Sequence, residues 1–184
     1  MSASTGPRKS PPGSTVIVLA MHGSPPLDFP GPEFAEFMRL HMMSEHAATS
    51  EERLVARSRA LEEKLRTWPR TEQNDPYWAA SLRLKAELGR AIGLDVVVGF
   101  NEFCDPDLRT ALEEAAGSGA ARVVVVTPMM TRGGEHSERD IPEAVEAARQ
   151  AHPQVRFDFV WPLPESDVAE FLAGQVRSFL ARPA

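Results

Sequence analysis

His22, Glu102 and His136 are the side chains of this 184-residue chain whose types and settings could do chemistry. His22 closes the apolar run Val16-Ile17-Val18-Leu19-Ala20-Met21, where a turn residue such as Gly, Asn or Asp would be ordinary. Glu102 follows a second run, 96–100, after Asn101. His136 ends the loop Gly133-Gly134-Glu135-His136 beyond a third run, 123–126. Taken singly, each has a plain reading: a histidine after a strand is a hydrogen-bonded turn residue, and a glutamate there is solvated. Two imidazoles and a carboxylate delivered to one place, with open positions left over, make a donor set for a divalent transition metal. Such a set accepts iron, cobalt, nickel and zinc, with affinity following the general divalent order.

For these three residues to meet, the runs they end must lie side by side with their carboxyl ends together. The runs 15–21, 94–100, 121–128 and 155–161 are rich in Val, Ile or Phe and lack polar alternation, which suits parallel strands buried on both faces. Helical patterns separate them. One helix opens at Asp105-Pro106 and closes at Gly117. Another opens at Asp140, with Glu143 completing a capping box, and turns Ile141, Ala144, Val145 and Ala148 to one side. A last helix over 165–180 places Val168, Phe171, Leu172, Val176 and Phe179 on one face. The alternation predicts an α/β fold: a four-stranded parallel sheet with helices on both faces and right-handed crossovers. In such a sheet, ligands bind outside the carboxyl ends of the strands, where the three residues fall. The His136 ring then stands at a helix start, whose dipole favours the neutral, metal-binding imidazole and welcomes anionic ligands.

Between the first and second strands lie residues 25–93, far more than one crossover helix needs. They read as three helices, 33–46, 51–67 and 76–91. Thr49 and Glu52 form a capping box for the second, Asp75-Pro76 starts the third and Gly93 stops it. This insert reads as a helical lid or interface element within a single domain spanning 15–184. Its stripe Phe34, Phe37, Met38, His41 and Met42 reads as packing, with a pocket wall carrying His41 as an added ligand the alternative. His46 and His152 read as surface residues, and residues 1–14, rich in Ser, Pro and Gly, as a disordered tail.

A formal net charge of -6 speaks against a nucleic-acid binder and, more mildly, against a membrane-surface protein. No apolar run approaches the ~18–20 residues that span a bilayer. Arg8 and Lys9 precede residues 16–21, but that core is too short for a signal peptide. The single cysteine, Cys104, excludes an intrachain disulfide and fits a reduced, cytoplasmic setting; it reads as a buried filler, with a soft metal ligand the alternative. Met21 stands where a histidine phosphatase would place Arg, and no Gly-x-Ser-x-Gly elbow supports a hydrolase.

Three stretches, "VIVLAMHGS", "VGFNEFCDPDL" and "RVVVVTPMMTRGGEHSERDIPEAVEAARQAHPQVRF", together resemble the CbiX/SirB group of class II chelatases. The matching residues are His22-Gly23-Ser24, Phe100-Asn101-Glu102, and Gly134-Glu135-His136 leading to Asp140-Ile141-Pro142. The resemblance covers 15–24 and about 94–180, and leaves 25–93 without a counterpart. It implies a three-layer, flavodoxin-like chelatase fold and insertion of cobalt or ferrous iron, or nickel in close relatives, into sirohydrochlorin. The metal would be a substrate, and no organic cofactor is implied. His22 and His136 would hold the metal and accept protons, with Glu102 as ligand or base. A substrate bearing many carboxylates calls for nearby positive charge, for which Arg132 and Arg139 flank His136. Ser24 would bind a substrate carboxylate or, as the simpler reading, cap its turn. With one such lobe in the chain, the facing half would come from a homodimer or from the insert. The rival reading is a carrier of metal or tetrapyrrole that performs no insertion.

Overall fold

The structure is a computed structural model and describes residues 13–46 and 52–182. The expected tail lies mostly outside the described residues, as does Thr49 of the expected capping box.

The sequence Thr-Val-Ile-Val-Leu-Ala-Met alternates nothing, so it can bury both of its faces, and as strand β1 (Thr15–Met21) it occupies the interior of the sheet. Strand β2 (Asp95–Phe100) pairs along one side of it, with Val18 opposite Val97 and Met21 opposite Phe100. Strand β3 (Arg122–Val126) pairs along the other, with Val18 opposite Val125, and β4 (Arg156–Phe159) completes the order β2-β1-β3-β4. All pairings are parallel, so the carboxyl ends share one edge.

Three helices cross between β1 and β2: α1 (Gly31–His46), α2 (Glu52–Arg66) and α3 (Pro76–Ile92). Helix α4 (Leu108–Gly117) links β2 to β3, and α5 (Ile141–Ala151) links β3 to β4. Helix α6 (Glu165–Leu180) follows β4. Val16, Val18 and Ala20 face a layer made by Leu108, Ala111 and Leu112 of α4 and Ile141, Val145 and Ala148 of α5. Ile17, Leu19 and Met21 face the opposite layer, where Trp78, Leu82 and Leu88 of α3 pack. Helices α1 and α2 keep a core of their own: Phe29, Phe37, Leu40, Leu61 and Leu65 are buried together, with Phe34, Trp68 and Phe103 against them. Exposed ion pairs Arg57–Glu36 and Lys64–Glu33 lace the hairpin's outer side.

Several boundaries differ from the sequence reading, each for a local reason. Helix α4 is capped by Asp107, whose carboxylate accepts the Thr110 N–H at 2.7 Å, and not by Asp105, which precedes a cis proline. Asp140 caps nothing: a π-helical turn, His136–Asp140, runs into α5, and Asp140 has helical backbone angles. The third helix of the insert begins and ends as read, with Asp75 accepting from Trp78 N and Gly93 at φ 69. The apolar face read for α6 is largely open: Phe171 is 51% and Phe179 is 70% exposed, and no α6 residue is buried. Periodicity names the apolar side of a helix; among the described residues nothing covers this one. No described helix is long and apolar enough to cross a membrane.

Candidate metal centre

His22, Glu102 and His136 come together at the carboxyl edge of the sheet. One donor atom from each lies within 4.8 Å of the others. Glu102 stands between the two rings, 4.0 Å from His22 Nδ1 and 3.7 Å from His136 Nε2. The rings themselves meet edge-on, with centroids 4.6 Å apart at 86°.

The sheet carries this geometry past its last paired residues. Asn101 N–H donates to Met21 O at 2.9 Å and Glu102 N–H to His22 O at 2.8 Å, so the β1–β2 ladder extends to the two site residues. Asn101 Nδ2 donates to Met21 O as well, at 2.8 Å. His22 N–H donates to the Tyr77 hydroxyl at 3.2 Å, which ties the site to α3. Gly23, at φ 106, lies directly against the backbone carbonyl of Glu102. That approach and that dihedral both require glycine.

Polar contacts orient both rings. His136 Nδ1–H donates to Asp140 Oδ2 at 2.7 Å, four residues on in the same helical turn, leaving the Nε2 lone pair toward Glu102. His22 Nδ1 lies 3.0 Å from Gly23 O and 4.0 Å from Glu102 Oε2, so this nitrogen is the one turned toward the carboxylate. Partial burial works against the Asp140 carboxylate, but hydrogen bonds from His136 and Arg139 outweigh it and hold the group below the usual carboxylate range. The His136 side chain is 14% exposed and that of His22 45%, so the centre is anchored on one side and open on the other.

Beside Glu102 and His136 lies a cleft of about 270 Å³ roofed by the insert, and His22 stands outside its lining. Phe37 and His41 of α1, stacked at 5.6 Å, face Glu102, Phe103 and His136 across it, and Arg66 of α2 lines it. The stripe on α1 is therefore divided: Phe34, Phe37 and Met38 serve the hairpin core, while Phe37 also turns to the cleft with His41. Of the two basic candidates, Arg139 lines the cleft, paired with Glu135 at 2.6 Å and Asp140 at 3.0 Å. Arg132 instead lines a groove beside Leu163 and Leu172, 3.6 Å from Glu138. Ser24 commits its hydroxyl proton to Asp75 at 2.8 Å. His152 is paired with Glu113 at 2.6 Å, away from the centre.

Arg66 is not singled out by the sequence, and Asp140 reads there as a helix cap and part of the family motif, not as the partner of His136. Asp140 had a signal, the i, i+4 spacing from His136. Arg66 had none: its guanidinium reaches the carbonyls of Cys104 (3.0 Å) and Asn101 (3.3 Å), contacts set by tertiary structure.

Cys104 is fully buried and its thiol lies 3.6 Å from Ser24 O. Burial pushes the thiol up to about 11. At pH 8 only about one part in a thousand is thiolate, so iodoacetamide is expected to leave native Cys104 unmodified and to alkylate it once the chain is denatured. Rapid stoichiometric alkylation of the native protein, read by mass spectrometry, would contradict the buried placement.

A family model described as CbiX matches residues 73–178. The sirohydrochlorin cobaltochelatase of Methanopyrus kandleri (strain AV19) is 46% identical over 48 residues, 26% of this chain and 33% of that protein. The chain thus matches about a third of the length of this curated relative. Among solved structures, a CbiX protein from Marinobacter aquaeolei VT8 is similar with a TM-score of 0.50 at 17% identity, over 92% of this chain and 99% of that one. The sirohydrochlorin chelatase SirB of Bacillus subtilis subspecies spizizenii, solved with cobalt, gives 0.40 at 18% identity, over 79% and 42%.

Proposed function

The chain belongs to the CbiX family, and on that premise we propose that it inserts a divalent cation, cobalt, ferrous iron or nickel, into a sirohydrochlorin-type tetrapyrrole. The observation that carries this reading is the meeting of His22, Glu102 and His136 within 4.8 Å at the sheet's carboxyl edge. Insertion asks a site to hold a cation by few enough ligands that it can leave, and to take up two pyrrole protons as it does. A ring nitrogen of His22 and Nε2 of His136 would be the two imidazole donors, and they leave coordination positions open. Glu102, between them, offsets the cation's charge and accepts a proton from the ring. Asp140 holds His136 in the tautomer that keeps its Nε2 lone pair available. The cleft, at about 270 Å³, is smaller than the roughly 300–1,000 Å³ of sites that enclose a ligand, so part of a macrocycle would stay outside it. Arg66 and Arg139 at the cleft would meet peripheral carboxylates, with Arg132 further out and Ser24 serving its turn.

The test is an anaerobic absorbance time course with sirohydrochlorin and each of the three metals, with and without the protein. Acceleration over the uncatalysed rate that is lost in His22→Ala is the expected result. A spectral change that saturates at one equivalent without acceleration would replace the enzyme with a carrier.

A further inference from the structure

The segment joining α2 to α3 holds a buried ion pair whose purpose the fold alone does not explain. The Arg70 side chain is 4% exposed and that of Asp75 0%. Buried pairs of this kind add little net stability over apolar residues of equal volume, because desolvating two charges offsets their attraction. What an apolar pair cannot do is donate to several acceptors at once. Arg70 does this: Nη1 donates to Asp75 and to Ser24 O at 2.9 Å, and Nη2 donates to Phe103 O and to Leu65 O at 3.1 Å.

Two of these four acceptors, Ser24 O and Phe103 O, belong to the loops that carry His22 and Glu102. Ser24 is two residues past His22, and Phe103 immediately follows Glu102. Asp75 closes the circuit by accepting from Ser24 Oγ at 2.8 Å. Phe103 stands at φ 60, a left-handed conformation that a bulky residue keeps only when its surroundings over-determine it. Its carbonyl is held by Arg70, and its ring is packed at 6.1 Å from Phe34 and 6.4 Å from Phe37.

We propose that Arg70 is a positioning residue for the metal centre, its guanidinium fixing the loop of His22 against the loop of Glu102 so that their donor atoms stand at ligand spacing. The proposal rests on the reading of His22, Glu102 and His136 as metal-holding. It gives the insert a role besides roofing the cleft: the end of α2 and the start of α3 brace the site from behind.

The experiment is an anaerobic Co2+ titration of the full chain, following the cobalt absorption bands, alongside thermal unfolding. Arg70→Met, Arg70→Lys and Leu61→Ala are compared with the wild type, and His22→Ala reports the ligand set. Arg70→Met is expected to raise the Kd for Co2+ about 10–100-fold, the range for losing a group that orients metal ligands, and to alter the cobalt spectrum. Arg70→Lys keeps a charge beside Asp75 but cannot span four acceptors, so its Kd falls between; it carries the test if Arg70→Met does not fold. Leu61→Ala opens a cavity in the hairpin core and lowers the melting temperature, with Kd and spectrum as in the wild type. Wild-type affinity and spectrum in the Arg70 variants would overturn the proposal, as would an equal loss in Leu61→Ala. A wild type that binds no Co2+, or binds it equally well as His22→Ala, would remove the reading of the site and the proposal with it.

Discussion

His136→Ala is expected to lower the rate of metal insertion by about 10²-fold or more while leaving the chain folded. This ring is the most sequestered of the three site side chains and the only one with a carboxylate fixing its tautomer, through Asp140 at 2.7 Å. On the proposed reading, losing it would remove a ligand and a proton acceptor together, and the remaining pair, His22 and Glu102, would not hold the cation from both sides. The fold should tolerate the change, because Asp140 keeps its bond from Arg139 at 3.0 Å and the sheet core beneath, Ile141 and Val145 included, is untouched. Steady-state rates with sirohydrochlorin, corrected for the uncatalysed reaction, read this directly. A wild-type rate in the purified, folded variant would remove His136 from the site.

Gly23→Ala is expected to cost about 3 kcal/mol or more of stability, a fall of roughly 6–12 °C in melting temperature for a domain of this size, together with most of the insertion activity. A Cβ at this position would overlap the Glu102 carbonyl oxygen and lie 2.9 Å from its carbon. Neither partner can step aside cheaply. Glu102 N–H is bonded to His22 O, and Asn101 is held to Met21 O by both its backbone and its side chain. The backbone at φ 106 adds strain for any L-residue with a side chain. Gly93→Ala is the matched control: it too has positive φ, 69, but nothing lies within 4 Å, so about 1 kcal/mol is expected. Similar melting temperatures for the two variants would mean that β1 and β2 do not approach so closely beyond their paired residues.

The strand ends were the legible part of this chain. Runs such as Val16-Ile17-Val18-Leu19 announce buried parallel strands locally, and the side chain each strand delivers follows from where the run stops. The helices were legible too, since Asp75-Pro76 and Gly93 are punctuation read within a few residues. Ambiguity entered where one stretch offered several choices. In Asp105-Pro106-Asp107 the nearer Asp-Pro pair looks like the helix start, but Asp107 has the reach to Thr110. Asp140 looks like a cap until His136 claims its carboxylate. Contacts between distant segments left no trace at all: nothing near Arg70 in sequence says that it will find Ser24 and Phe103, and nothing near Arg66 points to Asn101. The α6 stripe fails differently, for its period is regular while its covering is a property of the assembled surface.

The place of β1 in the sheet has a consequence for the order in which the chain can assemble during synthesis. Val16 pairs with Asp95 on one side and Val123 on the other, so this apolar strand has no partner until at least the second strand has emerged. Closing such long loops is the slow part of building a sheet. The α1–α2 hairpin, by contrast, draws its buried residues Phe29, Phe37, Leu40, Leu61 and Leu65 from a stretch that precedes β2 entirely and can collapse on its own contacts. The element inserted between the first two strands is thus the one able to form first, and the strand bearing His22 must wait beside it for β2 to arrive.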